Sequence, residues 1–223
     1  MILVNSDWDR IIDFEEARVN TLLIENTGYF RYVVGDFIAQ VDGNDGKFSL
    51  SSDNKSIDIS KKVLVLSDIF DLATGINKSN NKINQYVKIL SIDYFEKSKK
   101  IAYDIERYID GLLENTDLPI VRTGGISIDN ILKVANLKVE CGEDIIENII
   151  NIFDVCSALL GTKLFVFINI HSMMSDEEWK CFIRTIVMKE CNVLVFESKM
   201  PRNRILDNNI ERLYIIDEGL CEI

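Results

Sequence analysis

The chain has 223 residues and a formal charge of −11, with 47% hydrophobic and 27% charged residues. That length buries a core without metal or disulfide staples, and the excess of acid excludes a protein that coats its whole surface with nucleic acid. The five cysteines form no Cys-x-x-Cys pair and there is one histidine, which excludes the common zinc frameworks.

The N-terminus, MILVNSDWDR, has no basic start and turns acidic at once, unlike a signal peptide. No apolar run reaches the roughly 18 to 20 residues that span a bilayer, so no membrane association and a cytoplasmic location are expected. Ile2 to Val4 and Ile11 to Phe14 flank an Asn-Ser-Asp turn and predict a hairpin at a sheet edge. Thr21 to Ile24 reads as a buried strand. Gly28 follows, and then Tyr29, Phe30, Val33, Val34, Phe37, Ile38 and Val41 recur at helical period. The step between them, Glu25-Asn26-Thr27-Gly28, lacks the spaced glycines and the lysine of a phosphate-binding loop.

Phe48, Leu50, Ile57 and Ile59 alternate inside a Gly, Asn, Asp and Ser-rich stretch and predict a second hairpin. Val63, Leu64, Leu66, Ile69, Phe70 and Leu72 predict a helix. A polar break at Asn77 to Asn81 precedes the stripe Val87, Leu90, Tyr94, Ile101, Ile105, Tyr108 and Leu112. As one helix from Asn84 to Glu114 it would be about 46 Å long at 1.5 Å per residue, and it would project. Pro119 and the Gly124-Gly125 pair interrupt the chain before a short segment, Ile128 to Leu137. A helix over about Asp144 to Leu160 then leads through Gly161 into the most informative stretch, KLFVFINIHSMMSDEEWKCFIRTIVMKECNVLVFES, Lys163 to Ser198.

Leu164 to Ile170 reads as a central strand buried on both faces. Ser175 and Glu178 have the spacing of a capping box. Trp179, Phe182, Ile183, Ile186 and Val187 share one helical face, and Val193 to Phe196 is a second strand. Strand, helix and strand make a βαβ crossover. Leu213 to Ile216 and Leu220 to Ile223 predict a closing hairpin. The expected organisation is an α/β head of residues 1–60 and 144–223 with a helical leg, residues 61–143, inserted between.

Catalytic chemistry is sparse. His171 stands at the C-terminal edge of its strand, where open α/β sheets bind ligands, but its neighbours offer only Ser172. The strand ends Asn169-Ile170-His171, without the acid that helps hold magnesium in a nucleotide hydrolase. Asp176, Glu177 and Glu178 fit the positive end of a helix better than acid/base work. Glu140, Glu143, Asp144 and Glu147 could gather oxygen ligands for a hard cation, but no D-x-D-x-D-G loop accompanies them.

The basic groups are segregated: residues 78–100 and 180–204 each carry six Lys+Arg against two Asp+Glu, whereas residues 1–46 carry three against nine and residues 101–160 four against eleven. Lys55, Lys61 and Lys62, and Lys199, Arg202 and Arg204, crowd loops of the head. Such cations are usually solvated one by one and matter when several converge on phosphates.

The segments LLIENTGYFRYVVGDFI, KKVLVLSDIFDL, KLFVFINIHSMMSDEEWKCFI and NVLVFES, in this order, resemble the CRISPR-associated Csn2 family of type II-A loci. The resemblance implies a P-loop-NTPase-like, mostly parallel sheet head without a functional P-loop, and an inserted α-helical leg. It implies a non-enzymatic homotetrameric ring that threads ends of double-stranded DNA and supports spacer acquisition against phage and plasmids. The partners it implies are the CRISPR integrase proteins and the effector nuclease of the same locus. The DNA-binding residues carried over by segment are Lys55, Lys61, Lys62, Lys199, Arg202 and Arg204. It also implies calcium in the leg, held by an acidic stretch after the long helix. The corresponding TDLPIVRTGG keeps only Asp117 and contains Arg122, so no ligand is assigned and the residues themselves require no cofactor. A degenerate nucleotide hydrolase and a protein-only scaffold for the adaptation complex are the alternatives.

Overall fold

Runs that are apolar on both faces pair as a parallel sheet, because only a sheet covered on both sides can hide them. A computed structural model describes residues 1–15, 18–67, 80–199 and 210–223. The chain divides into two units, Met1–Ile76 with Glu140–Ile223, and Asn77–Val139.

In the first unit, β1 (Ile2–Asn5) and β2 (Ile12–Asp13) form the expected hairpin. It does not border the main sheet. β1 also pairs antiparallel with β4 (Phe48–Ser52), which turns back into β5 (Lys55–Ile57), giving a separate sheet in the order β2-β1-β4-β5. The β4–β5 turn places Asp53 and Asn54 at φ 52° and 59°, the left-handed pair that a tight hairpin requires.

β3 (Val19–Ile24) is buried at every residue and runs into α1 (Thr27–Val41) through Asn26, whose side chain accepts from the Tyr29 N–H. The expected helix after Lys61 is mostly a strand. A single turn, α2 (Ile59–Lys62), ends at β6 (Val63–Leu66), which pairs parallel with β7 (Leu164–Ile168). Val-Leu-Val-Leu is too short to carry a helical period, and β-branched residues beside a neighbouring strand decide its conformation. Ile69, Phe70 and Leu72 lie outside the described residues.

The five-stranded sheet runs β6-β7-β8-β3-β9, every pair parallel, with β8 (Val193–Glu197) in the middle and β9 (Glu211–Ile216) at one edge. β7 is therefore interior rather than central. The expected closing hairpin reduces to one antiparallel bridge, between Ile216 and Glu222.

Side-chain alternation along β7 sorts the two faces. Leu164 and Val166 join Leu22, Leu194, Phe196, the α1 residues Val33 and Phe37, and Phe48 and Leu50 of the small sheet in one core. Phe37 sits edge-on to Phe48 at 4.8 Å and to Phe196 at 5.4 Å, so α1 is clamped between the two sheets. Phe165 and Phe167 face the other way. They meet Phe153 and Phe182, which lie on the helices flanking β7 in the chain.

In the second unit the expected single helix is two. α3 (Asn80–Leu90) and α4 (Phe95–Leu113) are separated by a 3₁₀ turn, Ser91–Tyr94. The Ser91 hydroxyl donates to the Lys88 carbonyl at 2.6 Å, the local bond by which serine competes with the helical ladder. α4 has no buried residue. α5 (Ile128–Ala135) opens with a capping box between Ser127 and Asn130.

Back in the first unit, α6 (Ile145–Val155) continues through a π turn, Cys156–Leu160, and ends at Gly161 with φ 61°. α7 (Asp176–Met188) carries the expected Ser175–Glu178 box. No helix among the described residues is long and apolar enough to cross a membrane.

Phe37 is 1% exposed and meets an aromatic ring of each sheet. Phe37→Ala is expected to lower the free energy of unfolding by about 3 to 5 kcal/mol, measured by chemical denaturation.

Candidate functional site

The parallel sheet separates the sequence-predicted cations. Lys61 and Lys62 form the last turn of α2 and enter β6 at the amino edge, whereas Lys199 follows β8 at the carboxyl edge. Five residues of strand at about 3.3 Å each separate the edges by roughly 17 Å. Lys55 is exposed beside the Asp53–Asn54 turn, and Asp53 lines a cleft of about 490 Å³ together with Arg18, Lys163 and Asn192, which belong to the amino edge. The structure thus gathers Lys55, Lys61 and Lys62 toward one edge and leaves Lys199 at the other. Arg202 and Arg204 lie outside the described residues.

These lysines are not equally available. Lys61 pairs with Asp58 at 2.7 Å, which raises the Lys61 ammonium and holds the Asp58 carboxyl below its ordinary range. Lys62 Nζ donates to the Leu160 carbonyl at 3.3 Å, at the half-buried end of the π turn. A Cβ on Gly161 would come within 2.9 Å of that nitrogen, so glycine there serves both the left-handed backbone and the approach of the ammonium. Lys55 and Lys199 are exposed.

At the carboxyl edge, Asn169 turns the chain with φ 53°, and its Oδ1 accepts from Ser198 N and Oγ, both at 2.9 Å. This ties the end of β7 to the end of β8. His171 follows, 6% exposed, with Nδ1 2.7 Å from Glu197 Oε1. The His171 backbone N–H donates to the same oxygen at 2.9 Å, and the ring packs on Trp179 with centroids 3.8 Å apart. The carboxylate that the sequence near His171 lacks is therefore supplied by the last residue of β8, itself 1% exposed.

Ser172 Oγ, the nucleophile candidate, donates to the Asn169 carbonyl at 2.9 Å. The arrangement fixes a turn and orients an imidazole. In the neighbouring β3–α1 step, Asn26 Oδ1 is used as helix cap and its amide donates to the Glu218 carbonyl at 3.3 Å.

In the second unit, Arg122 gathers what a metal would gather. Its Nε and Nη2 reach Asp110 Oδ1 and Oδ2 at 3.0 and 3.1 Å, and Nη1 donates to the Gly124 carbonyl at 2.6 Å and lies 3.5 Å from Glu106 Oε1. Glu106 Oε1 also accepts from the Ile126 N–H at 2.6 Å. The fork binds two carboxylates of α4 to the segment that leads into α5. It holds the Asp110 carboxyl below its usual range. No group of three or more His, Cys, Asp or Glu positioned for a metal ion occurs among the described residues.

Comparison with known proteins returns one family. The profile described as CRISPR-associated protein (Cas_Csn2) matches residues 40–220. A CRISPR-associated protein Csn2 of Enterococcus faecalis is 30% identical over 94 residues, 40% of this chain and 43% of that protein. The aligned part thus spans less than half the length of that relative.

Calcium in the second unit and the Arg122 fork make opposite demands. The oxygens gathered around Arg122, from Asp110, Glu106 and the Gly124 carbonyl, already face a fixed positive charge, and a divalent cation beside a guanidinium is repelled. The residues present do not fit the metal. Calcium at millimolar concentration and a chelator are expected to give the same thermal midpoint for the protein, while Arg122→Gln lowers it in both. Because Asp110 is depressed in the folded chain, its contribution is complete above the unfolded value near 3.9 and is lost only as pH falls through the lower folded value, so the midpoint should not respond to the fork between about pH 5 and 8.

Proposed function

The chain belongs to the CRISPR-associated Csn2 family, and from that premise we propose that it binds ends of double-stranded DNA as a homotetrameric ring, without catalysis, in support of spacer acquisition. The partners under this reading are the integrase proteins and effector nuclease of the same CRISPR locus. The observation that carries it is the family match over residues 40–220 of an acidic chain in which two segments, 78–100 and 180–204, carry an excess of basic charge.

The P-loop-like reading of the head is supported by the parallel sheet and by β3 running directly into α1. The loss of hydrolysis is supported by Glu25-Asn26-Thr27-Gly28, where no lysine is present and Asn26 is occupied in capping. Lys55, Lys61, Lys62, Lys199, Arg202 and Arg204 remain the assigned contacts. An acidic subunit gains affinity by pooling its cations with those of its neighbours, since each phosphate neutralised adds to the counterions released. Contacts of this kind are indifferent to base sequence.

A second reading draws on the His171–Glu197 pair, a buried, oriented imidazole at the edge where open α/β sheets hold ligands. It makes the protein a degenerate nucleotide hydrolase. Turnover of ATP with magnesium that disappears in His171→Gln or Asn169→Ala would establish this reading in place of the first.

For the ring, mass in solution should be four times that of the 25.6 kDa chain. Linear blunt duplex should bind with an affinity that falls steeply with salt, and relaxed closed circular duplex at least tenfold more weakly at matched salt, measured by electrophoretic shift. Equal binding of the two forms overturns threading.

A further inference from the structure

All five strands of the large sheet start at one edge, so the residues just before them form a row, and the residues just after them form another. The two rows differ in charge. β6, β7, β8 and β3, neighbours in that order, are entered from Lys62, Lys163, Asn192 and Arg18. The same strands and β9 are left through Ser67, Asn169, Ser198, Glu25 and Asp217. Three cations stand on the entry side. No cation and two acids stand directly on the exit side, with Glu197 closing β8 itself.

The entry row is also built as a unit. The Lys163 N–H donates to the Lys62 carbonyl at 2.8 Å, Asn192 Nδ2 donates to the Lys163 carbonyl at 3.2 Å, and Arg18 Nη1 donates to Asn192 Oδ1 at 3.1 Å and to the Glu190 carbonyl at 3.3 Å. Three strand spacings of about 4.8 Å make the row roughly 14 Å long, about four base-pair rises of duplex at 3.4 Å.

Acids at this edge include Asp58, paired with Lys61, and Glu15, paired with the N-terminal ammonium at 3.0 Å; Asp53 and Glu190 lie there too. Lys163 is exposed and makes no ion pair among the described residues. Helix C-termini attract cations and account for Lys62 on the Leu160 carbonyl; no such carbonyl engages the Lys163 ammonium among the described residues.

We propose that this amino edge, through Lys163, Arg18, Lys62 and the amide of Asn192, is a surface of the head that meets the backbone phosphates of duplex DNA. Arg18 and Lys163 are additional contact residues beyond the segment-matched set. The guanidinium of Arg18 is held by two acceptors and keeps donors for a phosphate oxygen, and Lys163 supplies a movable point charge beside it. The cleft lined by Arg18, Lys163, Asn192 and Ser52 lets a phosphate approach both cations. A nucleotide hydrolase would bind at the opposite edge, so a duplex held here leaves the His171–Glu197 turn untouched.

This inference rests on the duplex-binding reading, and the two can fail separately. The protein is titrated against a fluorescent blunt duplex of about three helical turns over a salt series, as wild type, Lys163→Glu and Lys163→Arg, with thermal unfolding as the folding check. Lys163→Glu is expected to weaken binding tenfold or more and to reduce the slope of log K against log salt by about 0.9 for each phosphate no longer neutralised. Lys163→Arg should stay within twofold of wild type.

If wild type binds and folded Lys163→Glu matches it, the amino edge is not a DNA surface and the inference falls while the function stands. If wild type does not bind duplex, the function itself falls. Should Lys163→Glu not fold, Lys163→Ala takes its place, and its binding with wild-type affinity and salt slope would overturn the proposal.

Discussion

A sheet whose strands all point one way sorts the chain as well as hiding it. Each crossover must return to the starting edge, so positions distant in sequence are brought side by side in two rows. Arg18, Lys62, Lys163 and Asn192 become neighbours because each precedes a strand of the same direction. Asn169, His171, Glu197 and Ser198 become neighbours because each lies at the end of one. An antiparallel sheet of the same strands would have mixed these groups. The chemical contrast between the edges therefore depends on parallel pairing.

Parallel pairing in turn demands cover on both faces. The chain meets that demand from its two ends. α1 and the small antiparallel sheet, from the first part of the chain, cover one face, and Phe37 joins them to Phe196 of the central strand. Phe153 and Phe182, from helices on either side of β7 in the sequence, cover the other. Residues 77–139 belong to a separate unit, and the residues named in that cover all come from outside it. This is how a long insertion between β6 and β7 is tolerated, since loop length adds only slowly to closure entropy.

The βαβ crossover, the capping box at Ser175 and the buried strand before α1 were legible because each is written in neighbouring residues. What was not legible depended on distance or on a weak local signal. Val63 to Leu66 read as helix because four apolar residues fit either period, and the partner that makes them a strand lies about a hundred residues on. The 3₁₀ turn at Ser91–Tyr94 interrupts a stripe that stays apolar throughout, so periodicity passed over it, and only the serine hydroxyl on the Lys88 carbonyl marks the break. The candidate site was harder still. The carboxylate of His171 is 26 residues away on another strand. Arg18 and Lys163 are single cations without basic neighbours, and a scan for clusters along the chain cannot see a cluster that exists only across strands. The one available signal was the position of each, directly before an apolar run.

Local pairing then separates the cations by use. Lys61, Lys88, Arg122 and Lys189 each sit on an aspartate between 2.6 and 3.0 Å. Their fields are neutralised locally, and the exposed pairs add little to stability. The chain has 36 acids against 25 bases, so every such pair subtracts from a cationic charge already in the minority. At the first unit's amino edge Arg18, Lys55, Lys62 and Lys163 make no ion pair among the described residues. The cations of one such edge act against the repulsion of a net −11 chain. Duplex binding of the proposed kind is therefore favoured by an assembly in which equivalent edges face one another. Under that reading the acidity elsewhere has a role of its own, because it disfavours every approach of DNA except the one where several amino edges act together.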